Sequence, residues 1–341
     1  MIEKNEMVVS FCVIALNAEF TLPRLFADLE KQTYPHRLIE VVLVDSNSTD
    51  NTEAVMREFA ASASAFKNVI ISKNPKRTLP CGWNVALKEL SGDVVLRVDA
   101  HTTLPEDFIQ KNVDCIQHGE NICGGRVISL QPDETMWGQM LLAAENSMFG
   151  GGFAVFRRSL KPQYTSTLAF AAYRKSVFDK VGFYNENLAR TEDNEMHYRM
   201  RQAGFKFYLE PSIVSYRYSR SSLCKLLKQK FLNGYWIGLT LSVCPYCFSL
   251  FHFAPLFLLL AFIAFGVLAL TGFVVSLLLL TCVYVGCTLL MSLANLFSGK
   301  WNGYKLLLPF IFIALHFAYG IGTLKGIISI PFWKRRMDKI R

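Results

Sequence analysis

Short apolar runs alternate with amphipathic helical patterns along the first 130 residues. The runs are rich in β-branched residues and predict strands at Val8–Ala15, Ile39–Val44, Val69–Ile71 and Val94–Val98. The spacing of apolar residues between them predicts helices over Leu22–Gln32, from the capping residue Asp50 through Phe59, and over Trp83–Leu90. This alternation indicates an α/β fold with a mostly parallel, Rossmann-like sheet flanked by helices.

The pattern becomes less regular between residues 131 and 218. A helix is predicted at Met136–Ser147, ahead of the run Gly150-Gly151-Gly152. A second helix, Glu192–Ala203, is predicted to begin behind Thr191 and to end before Gly204. These elements complete a domain predicted to span residues 1–220.

The chain then becomes strongly apolar, without Lys, Arg, Asp or Glu from Phe231 to Gly299. Residues 221–250 are predicted to form a juxtamembrane segment, because Leu223–Trp236 combines lysines with apolar residues as an interfacial helix does. Residues 251–330 are predicted to hold the transmembrane helices, and 331–341 form a basic tail. Three stretches are each long enough to span a bilayer: Phe251–Leu270, Phe273–Leu293 and Leu306–Leu324.

The sequence leaves the number of membrane crossings open. Three spans would place Lys334, Arg335 and Arg336 on the side opposite the N-terminal domain, against the positive-inside tendency. Either Leu232–Leu250 adds a fourth span, or one segment is re-entrant.

The distribution of charge and the number of cysteines limit which partners and which cellular compartment we expect for the protein. Eight of the 36 basic residues but one of the 27 acidic residues lie after Gly299. A basic excess beside apolar spans suits anionic membrane lipids and argues against nucleic acid as a partner. Nine scattered cysteines favour a reducing environment. We therefore expect a multi-pass protein of the cell (inner) membrane with its N-terminal domain in the cytoplasm.

Two carboxylates are predicted to follow strands at the carboxyl edge of the sheet, where ligands of parallel sheets gather. Asp45 is placed to accept hydrogen bonds from a ribose or a nucleobase, whereas Asp50 is expected to cap the next helix. Asp99 and His101 follow the fourth strand, and a carboxylate with an imidazole suits Mg²⁺ or Mn²⁺ carrying a diphosphate.

Glu192 and Asp193 open the last helix of the domain. Acidic residues there either compensate the helix dipole or supply a general base, and both interpretations remain open from these residues alone. On the same helix, Arg199 and Arg201 are expected to be structural ion-pair partners, and His197 an ordinary polar position. Arg77 is either a phosphate ligand, near Asn84, or part of the charged surface.

The order of these motifs resembles family 2 glycosyltransferases of the GT-A fold, over about residues 7–240. The motifs are Ala15-Leu16-Asn17-Ala18-Glu19, Val44-Asp45, Arg97-Val98-Asp99-Ala100-His101 and Thr191-Glu192-Asp193. Bacterial membrane-bound enzymes of exopolysaccharide synthesis, of the succinoglycan-glucosyltransferase type, are the most similar. The resemblance implies a metal-dependent, inverting transfer of sugar from a nucleotide sugar, usually a UDP-sugar.

The resemblance also implies roles for individual residues. Asn17, Glu19 and Asp45 would line the nucleotide pocket, and Asp99 would hold the diphosphate and its metal. Asp193 would be the catalytic base, with Glu192 beside it. His101 stands where many relatives have a second acid, which leaves the metal's identity open.

The sequence around residue 230 indicates how many sugars are added. Processive relatives often carry Gln-x-x-Arg-Trp, whereas this chain has Gln229-Lys230-Phe231 before Tyr235-Trp236. We therefore predict addition of a single hexose to a polyprenyl-linked saccharide. The alternatives are transfer directly to a polyprenyl phosphate and a membrane protein that binds a nucleotide without catalysis.

Overall fold

The computed structural model describes residues 6–131, 135–152, 154–219, 222–296 and 302–338. The chain divides into two compact units. The first contains Met1–Ile128 and Ala154–Tyr218, and the second contains Ser129–Phe153 and Ser219–Arg341. The last three residues of the predicted basic tail, 339–341, lie outside the described residues.

One mixed sheet organises the first unit. Its strands, in chain order, are β1 Val9–Ala15, β2 Ile39–Asp45, β3 Asn68–Lys73, β4 Val94–Asp99, β5 Thr102–Thr103, β6 Ile122–Leu130, β7 Gln163–Thr165, β8 Ala172–Arg174 and β9 Phe207–Tyr218. Their spatial order is β3-β2-β1-β4-β8-β6-β9-β5, with β7 paired to β9. The first four strands in that order are parallel, whereas β8 joins β4 in the antiparallel sense.

Helices cover both faces of this sheet and continue into the second unit. In chain order they are α1 Leu22–Glu30, α2 Thr52–Ser62, α3 Leu79–Glu89, α4 Phe108–Gln117, α5 Met136–Asn146, α6 Lys175–Val181, α7 Glu192–Gln202, α8 Leu223–Thr240, α9 Ala254–Leu270, α10 Val274–Leu296 and α11 Leu308–Asp338. The α/β prediction is confirmed, and the four predicted strands are β1 to β4.

Strands β1 and β2 are apolar runs in the sequence because both are fully buried. Every residue of both strands is buried. Phe11 and Val13 of β1 belong to the core beneath α1, α2 and α4, whereas Cys12 and Ile14 belong to the core beneath α3 and α7. A strand covered on both faces has no polar face, so it lacks the alternation of a half-exposed strand.

Helix starts show where local sequence signals succeeded and failed. The N-cap of α2 is Asn51, one residue after the predicted Asp50. The Asp50 carboxylate nevertheless accepts hydrogen bonds from the backbone N–H of Thr52 at 3.1 Å and from its hydroxyl at 2.6 Å, which supports the start of the helix. By contrast, α3 begins at Leu79, four residues before the predicted Trp83, because Pro80 occupies its first turn.

Three helical segments of the second unit are long and apolar enough to cross a membrane: Leu250–Leu270, Val274–Leu296 and Gly303–Met337. The predicted interfacial helix is α8. It ends at Thr240, and the following residues form turns and two short 3₁₀ segments before α9 begins. Leu232–Leu250 is therefore not a continuous helix, which argues against the fourth span.

Candidate active site

Asp45 and Asp99 end the two strands that flank β1. Asp45 pairs in register with Ala15, and Asp99 pairs with Ile14 on the other side. Since neighbouring strands lie about 4.8 Å apart, the two backbones are about 10 Å apart across β1. Asp45 is 3% exposed and accepts a hydrogen bond from the N–H of Ser48 at 3.2 Å. The sheet therefore brings these carboxylates to one edge, as predicted.

The loops after β1 and β2 are fastened to each other by side chains. Asn17 Oδ1 accepts the backbone N–H of Thr49 at 2.9 Å, and Glu19 Oε2 accepts that of Asn51 at 2.9 Å. Asn17 has φ 51°, a left-handed conformation that Asn tolerates better than most residues. The Asn17 and Glu19 side chains thus fix the loop that follows Asp45.

Arg77 and Asn84 occupy different environments. Arg77 is exposed, and its guanidinium has no hydrogen bond or ion pair within the described part of the chain. Asn84 is buried, donates to the carbonyl oxygen of Tyr184 at 2.9 Å and to Glu186 at 3.1 Å, and accepts the Tyr184 N–H at 2.8 Å. Asn84 therefore holds the Tyr184 loop, while Arg77 is available to a ligand.

Asp99 and His101 lie at the turn that leaves β4. Asp99 is partly exposed and its carboxylate forms no hydrogen bond with another described residue, while His101 is exposed. No group of three or more His, Cys, Asp or Glu side chains in the described ranges is placed to hold a metal. A carboxylate and an imidazole fit a metal that takes its other ligands from a diphosphate and water, as Mg²⁺ commonly does.

The Arg97 side chain connects β4 to the start of α7. Its guanidinium carbon lies 4.8 Å from the ring centroid of Trp83 and 5.7 Å from that of Tyr184. The same guanidinium donates to Glu192 Oε1 at 3.2 Å. From the sequence, Arg97 had no predicted role of its own. The available signal was a cation inside an otherwise apolar strand, two residues before Asp99.

Burial and nearby charges shift the pKa values of Glu192 and Asp193, the two acids at the start of α7. Glu192 is 2% exposed, and its Oε2 atom has no hydrogen-bond partner among the described residues. Burial, helped by the charge of Asp193 and opposed by Arg97, raises the pKa of Glu192 to about 8. Burial also raises the pKa of Asp193, and Arg97 again opposes it. The charge of Asp99 raises the pKa of both acids, so all four groups share one electrostatic environment.

Further along α7, His197 fixes the helix to the sheet. It is 1% exposed, and its ring nitrogens bond the Thr167 hydroxyl at 2.8 Å and the Tyr173 hydroxyl at 3.0 Å. Burial, reinforced by the charge of Arg97, lowers the pKa of His197. The expectation of an ordinary polar position was wrong, because this residue faces the core one helical turn after Asp193.

Arg199 confirms its predicted structural role. Its guanidinium contacts the two Glu195 oxygens at 2.6 and 2.9 Å and donates to the carbonyl oxygen of Val181 at 2.8 Å. Arg201 donates to the carbonyl oxygen of Ser166, and its ion pairing stays a prediction. Both arginines therefore anchor the helix that carries Asp193.

Known proteins with similar sequences identify the family of this chain. Residues 10–182 match the model of glycosyl transferase family 2. The chain is 25% identical over 327 residues to the dolichyl N-acetyl-alpha-D-glucosaminyl phosphate 3-beta-D-2,3-diacetamido-2,3-dideoxy-beta-D-glucuronosyltransferase of Methanococcus voltae, covering 94% of this chain and 97% of that protein. It is 30% identical over 198 residues to the succinoglycan biosynthesis protein ExoA of Rhizobium meliloti, covering 57% and 58%.

Two solved structures share the fold. The mannosyltransferase PcManGT from Pyrobaculum calidifontis, in complex with GDP-Man and Mn²⁺, superposes with a TM-score of 0.57 at 14% identity, covering 96% of this chain and 87% of that one. Residues 1–349 of S. aureus TarS in complex with UDP give 0.51 at 17% identity, covering 98% and 92%. The fold is the GT-A-like arrangement that the motifs implied, and the chain belongs to glycosyl transferase family 2.

Proposed function

We propose that this protein is an inverting glycosyltransferase that moves a single hexose from a nucleotide sugar, a UDP-sugar, to a polyprenyl-linked saccharide. The observation that carries the proposal is the placement of Asp193 and Glu192 against Arg97 of β4, which leads directly to Asp99. The relatives named for a dolichyl-linked acceptor and for succinoglycan biosynthesis support a lipid-linked saccharide as the acceptor.

The donor would lie along the carboxyl edge of the parallel strands. Asp45, Asn17 and Glu19 form the rigid wall on which we place the nucleotide. The exposed Arg77 would meet the phosphates, and Asn84 would act on the donor through the Tyr184 loop that it holds. Hydrogen bonds that fix these loops before the donor arrives reduce the entropy lost on binding.

Asp99, with His101, would hold Mg²⁺ or Mn²⁺, and the bound ion would offset negative charge on the diphosphate leaving group. The structure of PcManGT with GDP-Man and Mn²⁺ supports a divalent ion in this fold. Asp99 suits this role because its carboxylate forms no hydrogen bond with the described residues and lies at the strand end nearest the acid pair.

Asp193 is the proposed general base. As the acceptor hydroxyl oxygen forms its bond to the anomeric carbon, its proton passes to the Asp193 carboxylate. The bond from that carbon to the diphosphate oxygen breaks, and the electron pair leaves with the phosphate. Attack from the opposite face inverts the anomeric centre. A carboxylate whose pKa is raised accepts a proton more readily, while Arg97 favours its ionised form.

Incubation of membranes with a panel of labelled nucleotide sugars, with and without EDTA, tests the proposal. We expect label to enter butanol-extractable glycolipid from one donor and to stop entering when EDTA is present. Nucleotide binding without transfer would instead support the non-catalytic alternative. Appearance of label on added polyprenyl phosphate, with none on lipid-linked saccharide, would support the other alternative.

The proposed location is the inner membrane, with the first unit on the cytoplasmic side. None of the nine cysteines, all of which lie in the described part of the chain, forms a disulfide, and this suits a reducing compartment. Tethering also has a physical purpose, because an acceptor confined to the bilayer meets an anchored enzyme at a raised effective concentration.

A further inference from the structure

Arg126 on β6 carries a guanidinium without a partner in the described part of the chain. The residue is partly buried, and its Nε atom is buried and has no hydrogen-bond partner among the described residues. By contrast, Arg97 of β4 donates to Glu192 at 3.2 Å. Arg174 of β8 donates to the carbonyl oxygen of Ile116 at 2.6 Å. Arginine stays charged, so a guanidinium donor that burial removes from water needs an acceptor from a ligand.

The register of the sheet places Arg126 level with Asp99. Leu96 of β4 and Cys123 of β6 both pair with Ala172 of β8, and both pairings are antiparallel. Strands β4 and β6 therefore run in the same direction, and the third residues after these two are Asp99 and Arg126. Since each strand spacing is about 4.8 Å, the two backbones are about 10 Å apart across β8.

Arg126 and Asp99 also lie on the same face of the sheet. Leu96 and Cys123 both belong to the core beneath α1, α2 and α4. Side chains alternate between the faces of a strand, so the residues three positions later lie on the other face. Val127 returns to the first core, which shows that the alternation along β6 holds at Arg126.

Helix α7 covers this other face. Its residues Met196 and Met200 are buried in the core on that side. Arg97, two residues before Asp99, reaches Glu192 at the start of the helix. The face that carries Arg126 is therefore also the face of the acid pair that contains the proposed base.

Along the carboxyl edge, Arg126 and the nucleotide wall lie on opposite sides of Asp99. The strand order β2-β1-β4-β8-β6 gives Asp45 first, then Asp99, then Arg126. We place the nucleotide at Asp45 and its diphosphate at Asp99, so the position beyond Asp99 belongs to the acceptor. The anion that Arg126 needs should therefore come from the acceptor.

We propose that Arg126 binds the phosphate that links the acceptor saccharide to its lipid. The planar guanidinium presents two parallel N–H donors, which match the oxygens of a phosphate. The saccharide would then lie between Arg126 and Asp99, beside the start of α7. This assignment rests on the proposed lipid-linked acceptor, and Arg126 is a binding residue that takes no part in the proton transfer.

Binding of farnesyl phosphate tests the assignment without requiring sugar transfer. The full-length protein in detergent, with UDP and Mn²⁺ present, is titrated with farnesyl phosphate and separately with farnesol. Loss of a hydrogen bond to a charged group weakens binding by about 10–100-fold, so Arg126→Gln should lose this factor for farnesyl phosphate alone. Arg57→Gln, on the surface of α2, should bind both compounds as the wild type does. Equal affinities of the wild type and Arg126→Gln for farnesyl phosphate, or no binding to the wild type, would overturn the proposal.

A lysine variant separates the phosphate contact from a general disturbance of the site. Arg126→Lys keeps the charge but not the two parallel donors, so its affinity for farnesyl phosphate should lie between those of the wild type and Arg126→Gln. It also carries the test if Arg126→Gln does not fold. An equal loss of affinity for farnesyl phosphate and for farnesol would contradict a phosphate contact.

Titration with UDP distinguishes the acceptor phosphate from the diphosphate of the donor. Arg126→Gln should bind UDP as the wild type does, and a tenfold weaker affinity would assign the guanidinium to the donor and overturn the proposal. In transfer assays, the variant should need about 10–100-fold more lipid-linked acceptor for half-maximal rate, with the donor KM unchanged. A wild type that transfers no sugar, but binds farnesyl phosphate through Arg126, would refute the proposed function and leave the phosphate contact standing.

Discussion

The Arg97 guanidinium lies 3.2 Å from the Glu192 carboxylate, and the two side chains are 13% and 3% exposed. The pair joins the fourth strand of the sheet to Glu192, the first residue of α7, which Asp193 follows. The positive charge of Arg97 also lowers the pKa of Asp193, so one cation interacts with two neighbouring acids. The pair therefore both positions the proposed base and sets its protonation.

Replacing Arg97 by Gln should move the acidic limb of the rate profile to higher pH. Arg97 opposes the rise in the pKa of Asp193, so its removal leaves burial uncompensated and raises that pKa further. Loss of a nearby positive charge raises the pKa of a carboxyl group by about one unit or more. The measurement is kcat/KM for sugar transfer between pH 5 and 8.

Arg57→Gln is a suitable control for this experiment. Arg57 pairs with Glu53 on the surface of α2 at 2.7 Å, so its removal should leave the pH profile unchanged. An Arg97→Gln enzyme whose acidic limb stayed in place, or moved to lower pH, would show that Arg97 does not govern the base.

His197→Leu should lower the stability of the protein by about 1–3 kcal/mol, because the buried Tyr173 hydroxyl loses its partner. The loss should shrink below pH 6.5. The pKa of folded His197 is lowered, so the unfolded chain binds a proton there that the folded chain does not, and only the wild type loses stability as the pH falls. Apparent unfolding midpoints at pH 7.5 and 5.5 measure this difference.

The exposed His118→Leu variant provides the matched histidine control and should change little at either pH. A gap between wild type and His197→Leu that stayed constant or widened at pH 5.5 would mean that His197 is not buried in its neutral form.

Two glycine substitutions separate helix packing from helix propensity. Gly322→Ala places a methyl group against the Phe231 carbonyl and should cost about 1–3 kcal/mol. Gly286→Ala, on α10, meets no heavy atom of the described chain within 4 Å and should leave stability unchanged or raise it by up to about 1 kcal/mol. Thermal unfolding in detergent compares the two, and equal effects would argue against close packing of α8 on α11.

Local sequence patterns were sufficient for elements whose signal lies within a few residues. The strands β1 and β2 are continuous buried runs, β4 begins with the buried run Val94–Leu96, and Asp45 and Asp99 follow from the position of the strand ends. The α/β fold and the edge of the sheet were predictable for this reason.

Contacts between distant segments were not predictable in the same way. Arg97 and Glu192 are 95 residues apart, and nothing near either residue specifies the other. The burial of His197 depends on Thr167 and Tyr173, which are also distant in the chain.

The central claim is that Asp193 takes the proton of the attacking hydroxyl, and Asp193→Asn tests it most directly. Asparagine has the same size and cannot accept this proton, so transfer of labelled sugar into lipid-linked saccharide should fall by about 10²–10⁴-fold. Binding of UDP should be retained, and the exposed Asp179→Asn variant should transfer normally. Appreciable transfer by Asp193→Asn, at a tenth of the wild-type rate or more, would contradict the account.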